Sequence, residues 1–359
     1  MKRIYFQAGP TTLPKEVMEQ AKEEWDDFQG TGLNIMEHSH RGKHYEDIHE
    51  QAKSRMRLLL DIPDTHDVLF LQGGASLQFA MIPMNLISQG KTAKYVLTGS
   101  WSEKAFKEAK RIGSSEAVIT GEDSEYRTLP KMDYVPSDND AYLHITSNNT
   151  IYGTQWQDLN TFTHPTLIAD MSSDIMSKPF SVSNYALIYA GAQKNLGPSG
   201  VTAIIIRKDL LQDHENVPSI LSYAVHAKNK SLYNTPPVYS IYLLNLVLDW
   251  VDRSGGVAEM EVRNKKKADV IYNTIDRSNG FYNGYATPES RSLMNVTFTL
   301  GNSDLEKQFI KESEENGIYG LKGHRSVGGF RASIYNAVPQ ESCESLAEFM
   351  DHFQEKYGK

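Results

Sequence analysis

The sequence predicts an α/β protein in two units, a large sheet covered by helices on both faces and a smaller α+β unit behind it. Three observations carry that expectation. Short apolar runs recur through the first two-thirds of the 359 residues, as in strands buried on both faces. Segments with apolar residues at helical spacing alternate with those runs. Arg253-Ser254-Gly255-Gly256 then interrupts the pattern, ahead of about a hundred residues with strands and helices of their own.

In chain order, 14–28 places Val17, Met18, Ala21, Trp25 and Phe28 at helical spacing, and 45–60 repeats it through Ile48, Ala52, Met56 and Leu59. Apolar runs at 68–71, 95–97, 142–145, 166–169, 186–189 and 201–206 read as buried strands. A buried helix is expected over 239–251; Asn245 and Asp249 break that run, and it is too short to cross a bilayer. Beyond the glycine pair, which marks the boundary between the units, a charged amphipathic helix is expected over 257–275. A strand near 293–300, a helix from about Asp304, a strand over 329–335 and a last helix over 340–353 complete the chain.

Composition removes several classes of function. The 37 Lys and Arg against 45 Asp and Glu give a formal net charge of −8 with no basic run, which argues against a nucleic-acid partner. A single Cys excludes an internal disulfide framework and points to a reducing compartment. Cys343 shares helical spacing with Leu346, Met350 and Phe353, as a packed thiol does. Residues 1–7 lack the apolar stretch of a signal peptide. A soluble, acidic, cytoplasmic protein with no membrane partner is expected.

Four constellations could carry chemistry. At 68–76 an apolar strand meets Gln72-Gly73-Gly74-Ala75-Ser76 and then a helical pattern. This is either a tight turn or an anion site made of free N–H groups at a helix start. Neither a Walker A lysine nor G-x-G-x-x-G spacing is present. At 167–173 Asp170 ends an apolar strand, where α/β sheets bind ligands, although such an Asp also serves as a helix cap. At 190–200 Lys194 sits in a small-residue loop between two apolar strands. Burial would lower its pKa and free its amine for Schiff-base chemistry; a solvated hairpin lysine is the alternative. Pyridoxal phosphate requires an amine, a carboxylate and an N–H-lined phosphate cup, and cup, carboxylate and lysine occur here in that order. The fourth constellation is cationic: 37–44, with His38, His40, Arg41 and His44, and 323–331, with His324, Arg325 and Arg331. Arg and His beside glycines in an acidic protein suggest recognition of a multiply charged anion. Arg331 should share a strand face with Ser333 and Tyr335, opposite Phe330 and Ile334. A metal reading of the early histidines finds no H-E-x-x-H helix and no acidic ligand at a recognisable spacing.

Gln7-Ala8-Gly9-Pro10, His40-Arg41-Gly42, Gly73-Gly74-Ala75, Ala192-Gln193-Lys194-Asn195, Asn234-Thr235-Pro236-Pro237 and the run from Lys322 to Ser333 together resemble the phosphoserine aminotransferase family, within the class-V aminotransferases. The resemblance spans essentially the whole chain. It implies a fold-type I pyridoxal-phosphate transferase, with a mostly parallel seven-stranded sheet in a large domain (16–256) and a small α+β domain (1–15 and 257–359). It implies a homodimer with shared active sites that acts on L-glutamate and 3-phosphohydroxypyruvate to give 2-oxoglutarate and O-phospho-L-serine in serine biosynthesis. The related 4-phosphohydroxy-L-threonine reaction of pyridoxine biosynthesis is a further expectation.

By the same resemblance Lys194 is the Schiff-base lysine and proton carrier, Asp170 pairs with the pyridine nitrogen, and Trp101 stacks on the ring. Thr150 lies near the ring oxygen, and Ala75, Ser76 and Gln193 contact the cofactor phosphate, joined by Asn234 and Thr235 of the second subunit. Arg331 grips the α-carboxylate, and His40, Arg41, His324 and Arg325 surround the substrate's distal phosphate or carboxylate. This chain has Ser76 where some members carry an Arg that adds a cation to that pocket. A cysteine desulfurase on the same fold, which needs a mobile catalytic Cys, and a metal-binding protein built on the histidines are the competing readings.

Overall fold

The computed structural model describes residues 3–358; Met1, Lys2 and Lys359 lie outside the described residues. A seven-stranded sheet runs in the spatial order His66–Leu71, Thr202–Arg207, Leu187–Gly191, Leu167–Asp170, Asp140–Thr146, Thr92–Leu97 and Ser115–Thr120. All strands share one direction except Thr202–Arg207, which is antiparallel to both neighbours.

Alternation along the strands feeds two cores. Val68, Phe70, Leu143, Ile145, Ala169, Ile188 and Ile205 meet the side chains of helices Lys43–Leu59 and Val238–Arg253. Leu69, Leu71, Tyr95, Tyr142, Ile168, Leu187, Tyr189 and Ile204 meet helices Gly74–Leu86 and Ser100–Ile112 on the other face. Burial on both faces is what the near-continuous apolar runs require. The edge strand Ser115–Thr120 is the exception. It is half-exposed and its apolar run is only Ala117, Val118 and Ile119, so its signal is weak, and the sequence reading missed it.

The first helix is shorter than its apolar spacing suggests. It ends at Glu23, and Phe28 is buried instead from the short turn Phe28–Gly30. Asp27 accepts the Gly32 N–H and closes the intervening loop (2.6 Å). Met18 and Trp25, expected on the apolar face, are 50% and 47% exposed.

A separate core gathers Phe6, Ile271, Phe298, Phe309, Phe330, Cys343 and Phe353. It lies between the three-stranded antiparallel sheet (Asn283–Gly284, Asn295–Thr299, Phe330–Ser333) and helices Gly256–Asp276, Ser303–Glu315 and Gln340–Tyr357. Ile4–Tyr5 joins this unit by pairing parallel to Ile318–Tyr319. Gly255 has φ +104, and a Cβ there would lie 2.9 Å from the Glu259 Cβ, so the turn into helix Gly256–Asp276 demands glycine. Among the described residues no helix is long and apolar enough to cross a membrane.

Candidate active site

The carboxyl ends of the parallel strands deliver Gly73, Gly99, Thr146, Asp170 and Gly191 to one edge of the sheet, the position where open α/β sheets bind ligands. A cleft of about 330 Å³ opens there, lined by residues that include Gly74, Ala75, Ser76, Trp101, Thr146, Thr150, Asp170, Gln193, Lys194, His324 and Arg331. A groove of about 580 Å³ beside Pro83–Gln89 is larger, but no Asp, Glu, Lys or Arg lines it. Chemistry, not size, distinguishes the cleft.

The Gly-rich turn is a helix start. Gly73 (φ +86) and Gly74 (φ +65) turn the chain so that helix Gly74–Leu86 points its N-terminus at the cleft. A Cβ on Gly73 would fall 2.5 Å from Leu77 Cδ2, which no side chain tolerates. The free N–H groups and the positive end of the helix dipole form an anion cup.

Asp170 is buried, and its Oδ1 accepts both the Ser172 N–H (2.9 Å) and the Ser172 hydroxyl (2.6 Å). Burial raises its pKa; the Ser172 donors and the Lys194 charge oppose that shift. A second buried carboxylate, Asp174, accepts from Ser147 and Gln155 and is likewise raised by burial.

The Lys194 amine reaches the Thr150 hydroxyl (2.6 Å) from a loop closed by Ala192 N–H to Val201 O (2.9 Å). Enclosure by protein pulls it down to about 8; Asp170 acts against that shift and Arg331 reinforces it. Gly9 (φ +131) lets the N-terminal segment cross the loop, since a Cβ there would sit 3.3 Å from Gln193 Cγ and 3.4 Å from Lys194 Cγ.

Arg331 enters from the small unit. One guanidinium nitrogen donates to the Thr150 carbonyl (3.2 Å), and among the described residues no ion pair engages it. Burial lowers its pKa from the usual value, yet a guanidinium stays charged, so a cation with spare donors faces the cleft. Ser333 and Tyr335, on the same strand face, bond the Asn295 amide (2.9 and 3.2 Å). His324 also lines the cleft; burial and the charges of Arg331, Arg325 and Lys104 lower its pKa.

Five residues singled out from sequence do not line the cleft of this chain: His40, Arg41, Asn234, Thr235 and Arg325. Arg41, Thr235 and Arg325 are exposed, and His40 and Asn234 are partly so, although the Thr235 carbonyl accepts from the Gln72 amide beside the Gly-rich turn (2.9 Å). Of the early histidines, the His38 and His44 rings lie 4.8 Å apart, while His49 is buried against the Tyr45 hydroxyl (3.3 Å). Among the described residues no three His, Cys, Asp or Glu side chains converge as a metal site needs.

Sequence reasoning missed Thr146, Ser172 and Lys104. Ser172 had a readable signal, an Asp-x-Ser step that folds the hydroxyl back onto the carboxylate. So did Lys104, three residues after Trp101 on helix Ser100–Ile112; its amine lies 4.2 Å over the indole.

The aminotransferase class-V family model matches residues 3–346. The chain is 58% identical over 361 aligned positions to the phosphoserine aminotransferase of Geobacillus kaustophilus, covering 100% of both chains. Among solved structures, one recording radiation damage of the Schiff base in a phosphoserine aminotransferase superposes with a TM-score of 0.97 at 54% identity, covering 99% of this chain and 100% of that one. The pyridoxal-phosphate-bound phosphoserine aminotransferase of Trichomonas vaginalis superposes at 0.92 with 37% identity, covering 98% and 100%.

Proposed function

The chain belongs to the class-V aminotransferases, and we propose that it moves an amino group between L-glutamate and 3-phosphohydroxypyruvate, yielding 2-oxoglutarate and O-phospho-L-serine. One observation carries this reading: an enclosed lysine amine, a buried carboxylate and a guanidinium free of carboxylates meet in one cleft beside a helix N-terminus. Pyridoxal 5'-phosphate is the cofactor on this reading, and the residues present fit it. Among the described residues, the Thr146 hydroxyl and the Trp101 indole N–H are buried at the cleft without a partner. Both Ser172 donors reach the same Asp170 oxygen, Oδ1.

Bound there, pyridoxal phosphate supplies an electron sink for the substrate α-carbon. Lys194 would hold its aldehyde, and Asp170 would keep its ring nitrogen protonated. Trp101 would cover the ring, Thr150 would stand near the ring oxygen, and the N–H groups of Ala75 and Ser76 with Gln193 would hold the phosphate. An amine that titrates at about 8 can take and return a proton at the substrate α-carbon near neutral pH. Arg331 binds the carboxylate common to both substrates.

A homodimer with shared active sites supports the remaining roles. Asn234 and Thr235 would reach the second subunit's cofactor phosphate, and His40 and Arg41 its distal anion pocket, since none of the four lines its own cleft. Two separate cores support a division into 16–256 as cofactor-binding domain and 1–15 with 257–359 as small domain, with Met260 packing across that boundary into the large core. A cytoplasmic location fits the composition. The cysteine-desulfurase reading lacks a nucleophile: Cys343 is fully buried in the small unit, and burial pushes its thiol up to about 12.

Absorption spectroscopy tests the reading. The visible band of the cofactor-loaded protein should fall with L-glutamate and return with 3-phosphohydroxypyruvate. A band indifferent to glutamate overturns the substrate assignment.

Lys104 bears on the distal anion. With Ser76 where some relatives have Arg, Lys104 joins Arg325 as an exposed cation whose charge reaches His324. Lys104→Met should raise KM for the phosphorylated substrate about threefold, the size of one solvent-screened charge, and leave that for glutamate nearly unchanged. Steady-state kinetics with each substrate varied separately gives both values.

A further inference from the structure

His144 has no part in the chemistry above, yet it sits one strand away from Asp170. The strand Leu167–Asp170 lies between those that carry His144 and Tyr189. His144 is in register with Ile168 and Tyr189 with Asp170, all on one face of the sheet. The Tyr189 hydroxyl nevertheless meets His144 Nε2 at 2.9 Å, so the phenol spans the intervening strand next to the carboxylate. The imidazole is buried and stacks on Tyr95 (4.9 Å between centroids, 27°), and among the described residues its Nδ1 has no partner.

That unpartnered atom fixes the direction of the bonds. Burial pulls the ring down to about 3, so it is neutral and carries one N–H. Were the proton on Nδ1, a donor would be buried unsatisfied; on Nε2, the atom left over is a lone pair, which costs less. His144 Nε2–H therefore donates to the Tyr189 oxygen, and the Tyr189 proton is free to point at Asp170, where it favours the carboxylate form.

We propose that His144 and Tyr189 are positioning residues: a buried donor line, imidazole N–H to phenol and phenol O–H to carboxylate, that holds Asp170 ionised and oriented. The proposal rests on the cofactor reading, because only a protonated ring nitrogen gives that orientation a use. Ser172 engages one oxygen of Asp170 from the following turn, and Tyr189 restrains the carboxylate from the neighbouring strand.

Equilibrium dialysis against pyridoxal phosphate and steady-state kinetics test it on Tyr189→Phe, which removes one oxygen from a ring of the same shape. Affinity for the cofactor and kcat should each fall about tenfold, the worth of one hydrogen bond to a charged group. KM for glutamate should stay within about twofold, because Arg331 is untouched. Adding His144→Phe to Tyr189→Phe should change neither quantity further, and His144→Gln alone, which keeps an N–H donor, should stay near the parent. Wild-type affinity and kcat in Tyr189→Phe, or additive losses in the double variant, would overturn the proposal. Nitrogen-15 NMR of the cofactor-free parent gives a test independent of any variant's folding: the Nε2–H tautomer at neutral pH is expected, and Nδ1–H defeats the donor line. If the parent itself binds no pyridoxal phosphate, it is the cofactor reading that fails, and the tautomer still decides the direction of the line.

Discussion

Lys194→Ala is expected to leave a folded protein whose transamination rate is lower by about 10⁴-fold or more, since on the proposed reading one side chain would both hold the cofactor and carry the proton. Its visible spectrum should lose the lysine-dependent band, and an unchanged spectrum would sink the assignment. Retention of the fold follows from the contacts: among the described residues the Lys194 amine makes one hydrogen bond, to Thr150. The amine also opposes folding of the cofactor-free protein at neutral pH, because its value of about 8 lies below the ordinary 10.5. The folded state binds fewer protons than the unfolded state between those two values. The penalty is complete below pH 8 and is released as pH rises toward 10.5. The cofactor-free parent should therefore gain more stability across that window than Lys194→Ala, whose remaining gain comes from buried Lys267, an amine also held at about 8. Below pH 8 the variant should be at least as thermostable as the parent, which thermal melts at pH 7 and pH 10 can compare directly.

Much of the cleft was legible because its chemistry sits at chain features that also announce themselves as structure. Asp170 ends one apolar strand and Lys194 follows another, and adjacent parallel strands deliver both to the same edge. The Gly73-Gly74 turn was visible for a related reason, as only glycine meets the positive φ values and the close approach of Leu77. Parts of the fold lacked such marks. Strand Ser115–Thr120 alternates poorly because it is a half-exposed edge, and Ile4–Tyr5 is too short to show a period before its distant partner Ile318–Tyr319 is known. Within the site, Thr146 is an ordinary threonine until its strand ends beside Asp170. His144 reads as a polar interruption of an apolar strand, and only the register of three strands places it behind the carboxylate. Motif resemblance grouped His40 and Arg41 with His324 and Arg325, but of these four the cleft of a single chain holds His324 alone. Sequence proximity to a motif carries no information about which subunit supplies a side chain.

Arg331→Ala is the other change with a large expected effect, and its pattern across substrates matters more than its size. L-Glutamate and O-phospho-L-serine share an α-carboxylate and differ at the far end. A guanidinium that grips the shared group must serve both half-reactions, so kcat/KM for each should fall by about 10²-fold or more, as expected when a charged, doubly hydrogen-bonded contact is removed. Arg331→Lys should recover little, because an ammonium cannot reproduce two parallel bonds to a carboxylate. The structure adds a second route to the same outcome. Arg331 donates to the backbone carbonyl of Thr150, whose hydroxyl accepts from the Lys194 amine, so the residue that would bind substrate and the one that would carry the proton meet at one residue. Loss of the guanidinium also removes a positive charge that helps to hold the Lys194 amine near 8, so that amine should titrate higher in Arg331→Ala. Competitive amine labelling of cofactor-free protein, followed by mass spectrometry across pH, should place the Lys194 midpoint near 8 in the parent and above it in the variant. Kinetics that fail only with the phosphorylated substrate would move Arg331 to the distal pocket and leave the α-carboxylate to another cation of the cleft.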